Sequence, residues 1–374
     1  MKINLVIIKR EKKNILIMPT IAIISLLVGV AIAYVTLYFL TGLGLYSFAS
    51  AFYDTIRLTP VLLDRYLVLV LLGCALAVAF KAKVWNIGAE GQYVMGMAGA
   101  TYVVLFSPLV TYEPGIPTLM ADPNLSRTLA LVFGALLGLM WALIPGVLKA
   151  YLNVHEVPIT LLLNYIAYFI IDYLVRGPWR GQATWGYLRT DEIPGGARLT
   201  TMPGSEALRY ELVVSVILIV VITIYLMRFT PLGLWIKFLG INPTALRFSG
   251  IDDKKVILAS IAISGAIAGL TGALRLLGYT FRLPYAIEEG KTGYFGYTAI
   301  LVAWLANNEP IYVVLTAYVV AVLQAFGSVL QIKGLVPPGV SAEALSLLFV
   351  GTTLAAYVIL RIMGEYSIKI KVVR

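Results

Sequence analysis

The chain reads as long apolar runs separated by short polar and glycine- or proline-bearing punctuation. Such runs occupy about residues 15–40, 66–80, 88–106, 129–148 and 157–175, and then 212–227, 257–277, 295–306, 311–330 and 342–360. An α-helix needs roughly 20 apolar residues to cross a hydrocarbon core. The pattern therefore predicts an all-α polytopic membrane protein with about ten transmembrane helices, some short or broken. It is expected to form a single domain over residues 1–374, and an even number of crossings puts both termini on one side.

Composition agrees, with 60% hydrophobic and 13% charged residues and a mean hydropathy of +0.89, far too apolar for a soluble domain of this length. More than half of the 29 lysines and arginines fall in residues 1–14, beside Lys81 and Lys149, in 229–255 and in 361–374. Positive charge concentrates on the inner side, so these segments are expected to be cytoplasmic in a multi-pass cell membrane protein, with a long outer loop at 176–210. The formal charge of +10 then reflects topology and anionic-lipid contact rather than nucleic-acid binding. With one cysteine, Cys74, and one histidine, His155, no internal disulfide and no metal-ligand cluster is available. The stretch Glu288 to Thr292 resembles the end of a phosphate-binding loop, but Tyr285 stands where its first glycine belongs.

Three segments place polar groups where hydrocarbon offers them no hydrogen bonds. In Asn86 to Gln92, N-I-G-A-E-G-Q, Gly88 and Gly91 flank Glu90. They can free the backbone from helical geometry, and Asn86, Glu90 and Gln92 add donors and acceptors. The alternative is close helix packing with Glu90 paired to Lys81 or Lys83. In His155 to Tyr165, Pro158 falls in the first turn of a membrane helix and Glu156 lies at its positive end. Asn164, two turns on, is either interhelical glue or a ligand on a pathway.

The third segment is Thr230 to Asp253. Asn242 suits an N-cap, Pro243 the first helical position and Gly250 the residue past the end, so about two turns of helix are expected. A helix that short is marginal alone and should dock against something. Leu246 and Phe248 are expected on its surface as a partner-binding patch. Gly134 to Gly138 and Gly265 to Ala273 carry the small-residue spacing of close helix contacts. The short, glycine-interrupted runs 86–100 and 292–306 lie one in each half of the chain and point to a midplane path.

At these residues the chain resembles the membrane permease subunits of ATP-binding-cassette importers for nucleosides, simple sugars and branched-chain amino acids. It is most similar to the nucleoside-type members. The resemblance rests on N-I-G-A-E-G-Q at Asn86, H-E-V-P-I-T-L-L-L-N-Y-I-A at His155, P-L-G-L-W-I-K-F-L-G-I-N-P-T-A-L-R-F-S-G-I at Pro231, S-G-A-I-A-G-L-T-G-A at Ser264 and G-Y-F-G-Y-T-A-I-L-V-A at Gly293. It implies that Gly240, Asn242, Pro243, Ala245 and Gly250 form a cytoplasmic coupling helix that meets a separate ATPase, which binds the ATP and Mg; no cofactor is implied in this chain. It also implies an extracytoplasmic substrate-binding protein and a second permease, a shorter relative in a heterodimer. The departures are Lys83, Trp85, His155, the order G-Y-F-G at Gly293, and Trp304; Trp85 could stack on a sugar or a base.

The expected activity is alternating access along a path lined near Trp85, Asn86, Gly88, Glu90, Gln92, Asn164 and Tyr294, carrying a nucleoside or related sugar. Ribose or a branched-chain amino acid is the alternative cargo. An ion-coupled secondary transporter would need a midplane carboxylate or histidine relay, for which Glu90 and Asp172 are poor candidates. No Ser/His/Asp or paired-carboxylate arrangement suggests an enzyme.

Overall fold

The structure is a computed structural model that describes residues 2–9, 17–57, 60–113, 116–182, 184, 186–284, 293–337 and 339–373; the Glu288 to Thr292 stretch lies outside them. The elements run β1 (Lys2–Lys9), α1 (Ile17–Thr41), α2 (Leu45–Ile56), α3 (Pro60–Lys81), α4 (Ala89–Thr101), β2 (Val110–Glu113), β3 (Ile116–Leu119), α5 (Pro123–Leu152), α6 (Glu156–Arg176), β4 (Thr201–Met202), β5 (Ser205–Arg209) and α7 (Tyr210–Phe229). They continue with α8 (Pro231–Ile241), α9 (Pro243–Phe248), α10 (Asp253–Arg275), α11 (Phe295–Leu305), α12 (Pro310–Ile332), α13 (Ala342–Glu365) and β6 (Tyr366–Val373). Single π-helical turns extend α4 through Tyr102–Phe106 and α10 through Leu276–Thr280.

Among the described residues eight helices are long and apolar enough to cross a membrane: α1, α3, α5, α6, α7, α10, α12 and α13. They coincide with eight of the ten runs read from the sequence. The other two runs are the short ones, α4 and α11. Two helices were not expected: α2, whose buried Phe48, Ala51 and Thr55 form only a stripe, and α8, which packs into the same core as α9.

The chain groups into two compact units, residues 58–321 and residues 1–57 with 322–374. In the second, α1 and α13 meet where a Cβ on Gly29 would lie 2.4 Å from Thr353 Cα, and Phe48, Phe52, Phe326 and Phe349 stack edge to face. Strands β1 and β6 pair antiparallel from Lys2–Val373 to Lys9–Tyr366, whereas only charged tails were expected there.

In the first unit α3 is buried on all sides from Leu67 to Phe80, as befits a helix without a polar face. Gly73 admits the Val302 and Val313 side chains, each 2.7 Å from where its Cβ would be. Helices α4, α5 and α10 form a close triple contact. A Cβ on Gly138 would lie 2.5 Å from Gly269 Cα, one on Gly96 2.1 Å from Gly269 O, and one on Gly272 2.0 Å from Tyr93 O. Backbones this close gain dispersion contacts that lipid, already apolar, does not undercut, so the small-residue stripes at Gly134 and Gly265 are packing faces as read.

Local signals set the ends. Asp122 caps α5 by accepting from Asn124 and Leu125 N–H at 2.9 and 3.0 Å, Pro123 occupies its first turn, and Asn153 closes it at φ +54°. Residues 190–199, within the long outer loop read at 176–210, are tied to the segment after α10. Thr190 N–H donates to Leu283 O, Ile193 N–H to Phe281 O and Leu199 N–H to Leu277 O at 2.9–3.1 Å. The loop is thus a structured cap over the end of this unit opposite α8 and α9.

Candidate functional site

Helix α3 ends at Lys81, and the chain turns through Lys83, whose φ is +55°. It then starts α4 at Ala89 with Gly88 as a non-helical N-cap at φ −80°, ψ 5°. Gly91, expected to help break the helix, lies inside it. Its role is clearance, since a Cβ there would come 2.9 Å from Asn164 Oδ1.

Helix α11 begins at Phe295, after Tyr294 in the left-handed region at φ +50°. Its first turn touches the first turn of α4, where a Cβ on Gly296 would lie 2.2 Å from Glu90 N. Eleven residues of α11 span about 16 Å, and just past its far end Glu309 pairs with Lys81. The junction therefore sits about half of a roughly 30 Å core from that end.

Three hydrogen-bond sets hold the junction. Glu90, fully buried, accepts from Gly296 N–H at 2.6 Å and from Tyr168 Oη at 3.1 Å. Its carboxylate lies in the first turn of α4 and caps α11, so the positive ends of two helices stabilise one negative charge. Asn164 accepts from Gly91 N–H at 2.8 Å and donates to Ile87 O at 3.0 Å and to Tyr297 Oη at 2.9 Å. Asn86 and Gln92 form a reciprocal amide pair at 2.8–2.9 Å, and Asn86 also donates to Ser264 Oγ at 3.0 Å.

Lys81 goes to Glu309, and Glu90 bonds to Tyr168 and Gly296. Asn164 bridges α6 to both half-helices. Asn86, Glu90, Gln92 and Asn164 are all buried, so in this conformation they position the junction. Tyr294 lies half-buried at its edge with its ring 6.3 Å from Tyr297, and Tyr165, beside Tyr168, is exposed. Trp85 packs apart from them, with Phe80 at 5.3 Å and Trp304 at 5.9 Å between centroids. The Trp85 backbone N–H donates at 2.9 Å to Glu156, which also pairs with Lys149. His155 caps α6 through Val157 N–H at 3.4 Å.

Sequence reasoning missed an ion pair nearby. Arg275, the last residue of α10, bonds Asp64 on α3 at 3.2–3.3 Å and Tyr93 Oη at 3.2 Å, and its guanidinium lies 4.3 Å from the Phe295 ring centroid. The signal was present, because an isolated charge in an apolar run needs a buried partner. Asp64, however, precedes the run assigned from Tyr66.

At the opposite end of the buried core, Asn242 caps α9 by accepting from Ala245 N–H at 3.1 Å. Pro243 occupies the first turn, and Gly250 follows the helix at φ +77°. Leu246 corrects the sequence expectation of an exposed patch: it is 2% exposed and packs with Val84, Ile236, Leu239 and Val256. Phe248 is 90% exposed. The reason is periodicity, since two residues apart on a helix they point about 200° apart. Gly240 lets α8 touch the end of α3, its absent Cβ falling 2.1 Å from Lys81 O, and Arg247 pairs with Asp253 at 2.6 Å. Ala245 and the rest of 241–250 apart from Leu246 are exposed.

A multi-pass bundle with two half-helices meeting inside it and a capped helix presented at one end is the architecture of a membrane permease. The family model described as branched-chain amino acid transport system / permease component matches residues 58–358, and the chain belongs to that family of ATP-binding-cassette importer permeases. It is 31% identical to the guanosine ABC transporter permease protein NupP of Bacillus subtilis, over 84% of each chain. It is 29% identical to the nucleoside permease NupB of Lactococcus lactis over 75% of each. With the glucose permease TsgB13 of Haloferax volcanii it shares 31% over 79% of this chain and 76% of that one. No solved structure matches the chain.

Proposed function

We propose that this chain forms one half of the translocation path of an ATP-driven importer whose cargo is a nucleoside. The observation that carries this reading is the Glu90–Gly296 junction: two half-helices with their first turns in contact at mid-depth, bordered by Tyr294, Tyr297 and Tyr165. Their rings would stack on a base, and their hydroxyls would bond a ribose. Two relatives named for guanosine and nucleosides support the cargo; the relative named for glucose supports a sugar as the alternative.

Helix α9 is the proposed contact with a separate ATPase that binds ATP and Mg. It is anchored through Leu246 and presents Asn242, Pro243, Ala245, Phe248 and Gly250. A second permease as partner is supported by the similarity to both NupP and NupQ, two guanosine permeases of one organism. An extracytoplasmic binding protein would deliver cargo at the 181–200 cap, with α9 on the cytoplasmic side.

Reconstitution tests the reading. Vesicles holding this chain with its partner permease, ATPase and binding protein should take up labelled adenosine with ATP but not with a non-hydrolysable analogue, with competition by uridine and not by ribose or leucine. Uptake that follows an ion gradient instead would overturn the importer, and uptake of glucose or ribose alone would change the cargo.

A further inference from the structure

The cap end of the 58–321 unit holds a cavity whose lining shares no residue with the Glu90–Gly296 junction. It is about 400 Å³ in volume and is lined by Arg127, Arg198, Arg209, Thr200, Leu199 and Phe281, among others. Arg127 is fixed by Gly196 O at 3.0 Å, Thr200 Oγ1 at 3.1 Å and Glu211 at 3.2 Å. Arg198 and Arg209 both lie over the Phe281 ring, 4.7 and 5.8 Å from its centroid. Arg209 donates to Gly278 O at 2.9 Å, and Arg198 pairs with Glu192, which Arg282 shares.

Three guanidiniums, those of Arg127, Arg198 and Arg209, thus line the cavity; Arg127 is paired with Glu211, Arg198 shares Glu192 with Arg282, and Arg209 bonds a backbone carbonyl. Like charges over one ring repel, and the cations here outnumber the carboxylates that pair with them, so the cavity is set up for an anion.

Its depth selects the kind of anion. Arg127 lies in the first turns of α5, Arg209 immediately precedes α7, and Phe281 follows the π turn of α10. The cavity is therefore level with the ends of three spanning helices, where phospholipid headgroups lie. We propose that it binds the phosphate of an anionic phospholipid in the leaflet on the cap side. The guanidinium forks match phosphate oxygens, and Leu199 with Phe281 offer apolar wall to the glycerol.

The test is native mass spectrometry of the delipidated full-length chain. It would be titrated with dioleoyl-phosphatidylglycerol, with a phosphate-free diglycosyl diacylglycerol and with inorganic phosphate. One phosphatidylglycerol should bind saturably, and neither competitor should displace it. Arg198→Gln and Arg209→Gln should each weaken binding about fivefold, Arg198→Lys should weaken it less, and Lys237→Gln on α8 should bind as the parent does. Equal binding of the phosphate-free lipid, displacement by inorganic phosphate at equal concentration, or unchanged affinity in both glutamine variants would overturn the assignment. The two competitor arms use the unaltered chain and decide even if a variant misfolds.

Discussion

The Glu90 carboxylate accepts the Gly296 N–H at 2.6 Å across 206 residues of sequence, so the side chain that opens one half-helix caps the other. Gly296→Ala would place a methyl 2.2 Å from Glu90 N, against backbone that cannot swing aside. Overpacking of this kind costs about 1–3 kcal/mol or more. The variant should melt lower in detergent and lose uptake. Gly351→Ala in α13, where nothing lies within 4 Å, should be neutral or slightly stabilising.

Asn164→Leu leaves Gly91 N–H, Ile87 O and Tyr297 Oη without the partner that Asn164 supplies. Each orphaned buried group costs about 1–3 kcal/mol, so this variant should be among the least stable in the membrane core. Asn164→Asp keeps the acceptor for Gly91 but sets a second buried carboxyl against Ile87 O, so it should be at least as unstable as the leucine variant. Thermal denaturation of the three chains side by side checks the order.

Leu246 and Phe248 should separate fold from coupling. Leu246→Ala deletes a buried anchor, at about 2–5 kcal/mol, and should loosen α9, read as faster amide exchange over 242–250. Phe248→Ala should leave melting unchanged and weaken co-purification of the ATPase. A Phe248→Ala chain that binds the ATPase and transports normally would remove α9 from the coupling surface.

Asp64 and Arg275 form a pair whose side chains are only 18% and 13% exposed. Breaking such a pair from one side costs about 3–5 kcal/mol, because the surviving charge stays buried. Asp64→Asn alone should therefore destabilise more than Asp64→Asn with Arg275→Gln. A double-mutant cycle on melting free energies measures the coupling, and strict additivity would mean that the pair is inert.

The ionic ties of the cap should fail in acid. Arg282, then Arg198, hold the Glu192 carboxyl below its usual range. A carboxyl depressed by folding stabilises fully above its unfolded pKa and loses that contribution as pH falls through the folded one. Amide protection over 189–200, corrected for intrinsic exchange, should therefore drop as pH falls below about 4. Glu192→Gln should lack this step and be less protected at neutral pH.

Where the eight spanning helices lie was legible because hydrocarbon imposes one rule on every spanning segment, a long apolar run that satisfies its own backbone. The caps at Asn242 and Asp122 and the small residues at Gly134 and Gly265 were legible because capping and close packing depend on residue type at short spacing. The α2 stripe and the β1–β6 ribbon carry no long apolar run. Leu246 was misjudged because exposure depends on what lies opposite, and the order of residues in α9 does not say which face the core takes.

The sequence by itself determined the class of this protein, its spanning runs and the polar residues that must have partners. It could not choose those partners. Glu90 to Gly296, Asn164 to Gly91 and Asp64 to Arg275 are contacts between segments 73 to 211 residues apart, and only the packing of α3, α4, α6, α10 and α11 brings them within hydrogen-bond distance. The need for a partner is a property of one buried side chain, whereas its identity is a property of the assembled bundle.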